Sequence, residues 1–350
     1  MNEILLKDYE EGVLDSSKAI LCEEGILDNS NNKDSVVSFN TCLRCTKRPR
    51  CIPRRVIMDT IAKDDSEYYK HRYGNFHVTS SIYCIRQQVL KKKITEIKNT
   101  SGMWHQALGS VGHETVEGMR IGNSISEKSL ENCEFESDYG DVISISGRFD
   151  TFIREVVPYF LDEGEFFYNE LEGILFSGGK IEGVLEEIKT KAGLKSIAKE
   201  GVDHHHLLQA KIYCSIIDKY MDSSMPNAIY ITYINKYSGK SISFLHPVVK
   251  KGDILADAIK RKCNDRLSNR VIEIDTDKII DSMKNRVSII HESLKRDVIP
   301  EKSQSYGWEC GYCGYEDICN SMKCRITDDN MDEFRETSIN VLDWDDKLFD

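Results

Sequence analysis

The sequence predicts a mixed α/β fold in which one sheet carries helices on its faces. Three observations predict it. Strand-like runs occur at Asp141–Ser146, Arg148–Arg154 and Gly183–Thr190. An amphipathic helical pattern covers Asp203–Met221, with Asp203 in the position of an N-cap. Two β-rich runs, Ala228–Lys236 and Ser241–Val248, flank Ser238-Gly239-Lys240 and read as a hairpin. Strands, then a helix, then a hairpin is the order of elements in a mixed sheet with helical cover.

Taken from the start, residues 1–40 are polar and include the loop-like run Asp28–Asp34. A short Cys/Arg/Pro segment occupies residues 42–55. Helical spacing follows at Ser81–Lys98 and Trp104–Met119, and the three strands come next. Val156–Lys180 reads as an insertion with glycine turns. After the hairpin, helices are expected at Asp253–Leu267 and Asp277–Lys295, with Pro300 preventing continuation. These elements suggest an extension over 1–76, a main domain over 77–324 and an acidic tail over 325–350.

The 350 residues are 40% hydrophobic and 30% charged, a composition of globular chains. No stretch reaches the roughly 18 apolar residues of a membrane helix, and the acidic start MNEILLKDYEEG lacks the form of a secretory signal. A cytoplasmic protein without a membrane partner is expected. Its net charge of −11 opposes a nucleic-acid partner only until its distribution is considered. Nine acids and two bases lie between Asp328 and Asp350, whereas Arg44–Arg55 holds six bases and no acid. Salt screens the distant acids within about 8 Å, so a basic patch can still meet phosphate. The tail, with Val341, Leu342, Trp344, Leu348 and Phe349 among aspartates, suits either a partner-binding peptide or a disordered segment.

The segment Val184-Leu185-Glu186-Glu187-Ile188-Lys189-Thr190 carries the most chemistry. Alternation along a strand sends Glu187 and Lys189 to one face. There a carboxylate can hold a divalent cation while the ammonium orients a water beside it. One carboxylate rarely holds Mg²⁺ alone. Asp150, closing Gly147-Arg148-Phe149-Asp150, is the natural second ligand. His113 is a candidate third, on a helix whose Gly109 and Gly112 permit close approach to a neighbouring element. Each residue has a plainer reading: a solvated strand-edge pair, a turn aspartate, a core histidine, a packed tyrosine.

Twelve cysteines in a reducing compartment point to metal ligation rather than disulfides. Cys310, Cys313 and Cys319 follow the spacing Cys-x2-Cys-x5-Cys, with glycines that allow tight turns. Tetrahedral thiolates suit zinc or an iron–sulfur cluster, and Cys324 can complete such a set locally. Cys42, Cys45 and Cys51 repeat the spacing and can hold Zn²⁺ with Cys22 or a histidine, stiffening a knuckle that carries Lys47, Arg48 and Arg50 toward phosphate; a flexible arm is the other reading. Cys22, Cys133, Cys214 and Cys263 are isolated and read as packing residues. His204, His205 and His206 are expected to face different directions on a helix and not to converge on one ion.

Four short patterns occur in order: Gly-x-x-x-His at Gly109 and His113, Gly-Arg-Phe-Asp ending at Asp150, Glu-x-Lys at Glu187 and Lys189, and Gln-x-x-x-Tyr at Gln209 and Tyr213. Together they resemble the RecB-like PD-(D/E)XK nucleases, most closely the CRISPR-associated exonuclease branch concerned with antiviral defence. The resemblance runs from about His77 to Cys319. It implies a restriction-endonuclease-like sheet core. It also implies that Asp150, Glu187, His113 and the Ile188 carbonyl bind Mg²⁺ or Mn²⁺, with the histidine favouring Mn²⁺. Lys189 would position the attacking water, and Gln209 and Tyr213, four apart on one helix face, would orient Lys189 or the DNA strand. In that branch a cysteine before the core joins three near the C-terminus around a [4Fe–4S] cluster, which implies Cys84, Cys310, Cys313 and Cys319 here. The repeated spacing at Cys42 is foreign to that pattern. The implied activity is exonucleolytic hydrolysis of single-stranded or frayed DNA ends, with protein partners in a DNA-processing complex. The alternative is a catalytically silent DNA-binding subunit.

Overall fold

A computed structural model describes residues 19–22, 35–38, 56, 75–93, 98–99, 107–111, 124–126, 129–137, 139–155, 182–221, 225–252 and 271–300, together with Cys310, Cys313, Tyr315 and Cys319. His113, the Cys42/Cys45/Cys51 group, Cys263, Cys324, the Val156–Lys180 insertion, the expected Asp253–Leu267 helix and the acidic tail lie outside the described residues. The architecture is mixed α/β. The chain forms two units: residues 1–75, 83–108 and 286–344 make the first, and residues 76–82, 109–285 and 345–350 the second.

The second unit is built on a six-stranded sheet. Its strands are β5 (Ser124–Ser126), β8 (Thr151–Glu155), β9 (Glu182–Lys191), β10 (Ala228–Asn235), β11 (Ser241–Lys250) and β12 (Ile272–Ile274), in the order β12-β11-β10-β9-β8-β5. β8 pairs β9 antiparallel, β9 pairs β10 parallel, and β10 and β11 form the expected hairpin. The hairpin turn is held by Asn235, whose side-chain oxygen accepts the N–H groups of Tyr237 and Ser238, while Gly239 takes the positive φ that the reversal needs. Parallel pairing of β9 with β10 requires a crossover, supplied by α3 (Lys195–Glu200) and α4 (His204–Tyr220). Most of α4 is buried, including Leu208, Ile212, Tyr213, Ile216 and Ile217, at the spacings of an apolar helix face.

A three-stranded sheet of β3 (Asn75–His77), β7 (Val142–Arg148) and β6 (Ser129–Glu136) has the order β3-β7-β6. The sequence suggests a strand break at Gly147; the break instead falls at Phe149-Asp150. The cause is tertiary: β7 pairs in one sheet and β8 in the other, so the chain changes sheets at those two residues. Phe149 is fully buried and meets Phe152 and Tyr213 edge-on, ring centroids 6.4 and 6.3 Å apart. That anchor fixes the corner on which Asp150 sits.

In the first unit, β1 (Ala19–Cys22), β2 (Ser35–Ser38) and β4 (Lys98–Asn99) make a small sheet in the order β2-β1-β4; β1 and β2 use the short apolar runs at Ala19–Cys22 and at Val36 and Val37, inside a stretch that reads as polar overall. The helix expected over Ser81–Lys98 is two helices, α1 (Val78–Ile82) and α2 (Ile85–Lys93). The interruption has a partner: the buried Arg286 guanidinium donates to the Tyr83 carbonyl at 2.9 Å. Cys84 thereby falls at the start of α2, its carbonyl accepting the Gln88 N–H. The last helix, α5 (Thr276–Lys295), ends near its expected position. Asp297 takes a left-handed φ of 57° just past it, and Val298 N–H returns to the Ser293 carbonyl. Among the described residues, no helix is long and apolar enough to cross a membrane.

Candidate active site and cysteine cluster

β9 supplies the central residues. Glu187 is 1% exposed although it is an acid, and Ile231 of β10 is its neighbour in the ladder. On the other side, the β8–β9 register pairs Thr151 with Glu186, and continuing it by one residue sets Asp150 opposite Glu187. A hydrogen bond fixes this: the Ile188 N–H donates to Asp150 Oδ2 at 2.7 Å. Lys189, two residues along β9, donates to Glu187 Oε2 at 2.7 Å. Two carboxylates and an ammonium from separate parts of the chain therefore meet at the β8–β9 pair.

The electrostatics of this group are unusual. Burial pushes the Glu187 carboxyl up to about 7; Lys189 opposes the rise, and the Asp150 charge adds to it. Glu187 Oε1 is enclosed and has no hydrogen-bond partner. An enclosed oxygen without a donor costs on the order of 1–3 kcal/mol or more. A proton or a cation at that atom removes the cost.

Gly109 behaves as its position suggests. Residues 107–111 are helical, and a Cβ on Gly109 would meet Thr190 Oγ1 of β9 at 3.1 Å. The close approach expected of this helix is thus to β9, beside Lys189. Gln209 and Tyr213 meet each other on α4, with Gln209 Nε2 3.4 Å from the Tyr213 hydroxyl. Tyr213 is fully buried against Phe149. That places its ring behind the Asp150 corner, a position suited to orienting the site rather than touching a polymer strand.

The histidine run departs from expectation. His205 and His206 do come together, ring centroids 3.9 Å apart. With Asp203 they form the group of potential metal ligands whose atoms all lie within 4.8 Å of one another among the described residues. The reason lies before the helix. Asp203 has the extended backbone of an N-cap, yet its side chain makes no cap hydrogen bond. Its carboxylate pairs instead with Lys191 at 2.6 Å and approaches His206 Nδ1 at 3.5 Å. The Tyr233 hydroxyl is 3.0 Å from both the Asp203 N–H and His206 Nδ1. Burial holds the His205 imidazole down at about pKa 4 and His206 well below its ordinary value, with Lys189 and Lys191 adding to both shifts. Neutral imidazoles can ligate a metal, so Asp203, His205 and His206 are a possible ligand set in which the Lys191 ammonium competes for the carboxylate. The arrangement works as a hydrogen-bonded brace between β9, β10 and the start of α4.

The second constellation belongs to the first unit. Cys84, Cys310, Cys313 and Cys319 are all unpaired by disulfides and half-buried. Cys313 N–H donates to the Cys310 carbonyl at 3.1 Å, and the Cys313 thiol feels the charges of Cys84 and Cys319. Burial, followed by those two neighbours, raises its pKa against hydrogen bonds from the Tyr315 backbone and the Gln87 side chain. The four thiols do not form a group with all ligand atoms within 4.8 Å. Cys133 and Cys214 are buried, as packing residues are; burial pushes the Cys133 thiol up to about 11. Sequence reading missed Arg86. It is 5% exposed and donates to Cys319 Sγ at 3.2 Å. Its signal was a charged residue among Ile85, Val89 and Leu90, two positions after Cys84.

No protein-family model matches the chain, and no curated protein matches it. Among solved structures it is similar to one described as SSO0001, at 18% sequence identity and a TM-score of 0.41, over 73% of this chain and 88% of that one.

Proposed function

We propose that this chain is a metal-dependent DNA nuclease with a restriction-endonuclease-like core of the PD-(D/E)XK type, acting on single-stranded or frayed ends. One observation carries the reading: Asp150 stands opposite Glu187 across β8–β9, with a partnerless buried oxygen on Glu187 and Lys189 at 2.7 Å from the other. Two adjacent carboxylates with an orphaned oxygen fit a hard divalent cation such as Mg²⁺ or Mn²⁺. The Ile188 carbonyl and His113 complete the proposed ligand set.

The cation would supply Lewis-acid activation of a water and of the scissile phosphate. The chain's own residues supply the rest. Asp150 is held in place by the Ile188 N–H, so its carboxylate has a fixed direction beside Glu187. Lys189 donates a proton-bearing nitrogen beside Glu187, where it orients the attacking water and offsets charge on the phosphate. Tyr213 and Phe149 exclude water behind the carboxylates. The exposed Lys195 and Lys199 of α3 provide charge for the strand's phosphates.

The four cysteines of the first unit fit a [4Fe–4S] cluster better than a single zinc. A tetrahedral zinc with bonds of about 2.3 Å sets its sulfurs about 3.8 Å apart. These thiols do not converge so tightly. A cluster takes one thiolate at each corner iron and so spreads its ligands farther. Its role in this reading is structural, joining segments more than 200 residues apart in sequence.

The test is cleavage of end-labelled single-stranded DNA with Mn²⁺ or Mg²⁺. Wild-type protein should degrade it, EDTA should stop it, and Glu187→Ala and Lys189→Ala should each lose at least about a hundredfold in rate. Cleavage that survives in Glu187→Ala, or no cleavage by pure wild type, overturns the assignment and in the second case favours a DNA-holding subunit.

A further inference from the structure

We propose that Arg86 is a positioning residue for the cysteine-held cluster, donating to Cys319 Sγ and thereby raising the cluster's reduction potential. This rests on the cluster reading above. The observations are geometric. The Arg86 side chain is buried, with Nε donating to the Pro300 carbonyl at 2.7 Å and Nη1 reaching Cys319 Sγ at 3.2 Å and the Cys319 carbonyl at 3.4 Å. The guanidinium is thus held at both ends, and one of its N–H groups is aimed at a sulfur.

An N–H of a buried guanidinium at hydrogen-bond distance from a cluster thiolate stabilises negative charge on that sulfur. Gln87, the next residue, adds a second donor: its side chain hydrogen-bonds Cys313. Gln88 Nε2 donates to Gln87 Oε1 at 3.4 Å, so the amide nitrogen is the group with which Gln87 donates to Cys313. Successive residues at the start of α2 therefore face two different cysteines, and Cys84 itself lies two positions before Arg86 and three before Gln87. A tether that only joined α2 to the C-terminal segment would need the carbonyl bonds alone. Hydrogen bonds to cluster sulfurs are among the determinants of iron–sulfur potentials. A donor and a positive charge favour the state with one more electron, so their removal must lower the potential.

The experiment begins with anaerobically purified full-length protein. Iron and acid-labile sulfide are measured first; wild type without either overturns both the cluster reading and this inference. With a cluster present, its one-electron midpoint is titrated with dithionite under dye mediation in wild type, Arg86→Gln, Arg86→Lys and Gln87→Ala. Arg86→Gln should shift the reduction equilibrium about tenfold toward the oxidised form, about 59 mV for one electron. Gln87→Ala should move the same way by less, and Arg86→Lys should lie between wild type and Arg86→Gln. Gln87 is only half-buried, so Gln87→Ala carries the test if Arg86→Gln does not fold. Variants with full iron content and a wild-type midpoint overturn the inference and leave the cluster reading standing.

Discussion

The buried Glu187 carboxyl makes a prediction about stability that is independent of catalysis. Its pKa is raised to about 7 in the folded chain, from an ordinary value of 4.5. A raised carboxyl pKa means that the folded state binds the proton more tightly than the unfolded state. Folding is therefore favoured at low pH. Stability falls as pH rises from about 4.5, and the loss is complete just above 7. Linkage sets the penalty at about 3 kcal/mol at pH 8 and about 1 kcal/mol at pH 5. Glu187→Gln mimics the protonated acid and carries no such penalty. In metal-free buffer with EDTA, hydrogen exchange of peptides from β9 should be slower in Glu187→Gln than in wild type by about a hundredfold or more at pH 8. At pH 5 the difference should shrink to a few-fold. Comparing the two proteins at each pH cancels the intrinsic pH dependence of exchange and that of the buried imidazoles. Added Mn²⁺ should protect wild type and not the variant, because the cation replaces the missing donor at Oε1. Equal exchange at pH 8, or a difference that does not change with pH, would refute the account of Glu187 as a strained acid awaiting a cation.

Three further outcomes follow from named contacts. Tyr213→Ala should cost about 3–5 kcal/mol in chemical denaturation by opening a cavity against Phe149, whereas Tyr213→Phe, which keeps the ring contact, should cost less. Gly183→Ala should destabilise by about 1–2 kcal/mol from its φ of 83° and further from the Phe152 ring 3.1 Å from the new methyl, measured as a lowered denaturation midpoint. Because His205 and His206 stay neutral when folded, the unfolded state takes up more protons below about pH 6.5; stability should fall on acidification from there toward pH 4, and His205→Gln should flatten that limb in an acid titration followed by circular dichroism.

The sequence by itself determined the local elements whose periodicity is strong. α4 and α5 lie where apolar spacing and the proline place them, and the β10–β11 hairpin lies where its glycine turn requires. The pairing of Glu187 with Lys189 was also legible, because strand alternation is a property of the backbone alone. Three things were not. The break at Phe149-Asp150 exists because β7 and β8 join different sheets, and pairing partners are not encoded in a local window. The split between α1 and α2 depends on Arg286, which takes the Tyr83 carbonyl from a distant part of the chain. The gathering of His205, His206 and Asp203 depends on two strand residues: Lys191, which draws the Asp203 carboxylate away from its own helix, and Tyr233, whose hydroxyl meets the Asp203 N–H and His206 Nδ1. Periodicity reports which face a residue occupies; which charge or donor waits on that face is decided only when remote segments fold together. Asp150 illustrates both sides: its residue type and turn position are in the sequence, but its placement opposite Glu187 comes from the β8–β9 register.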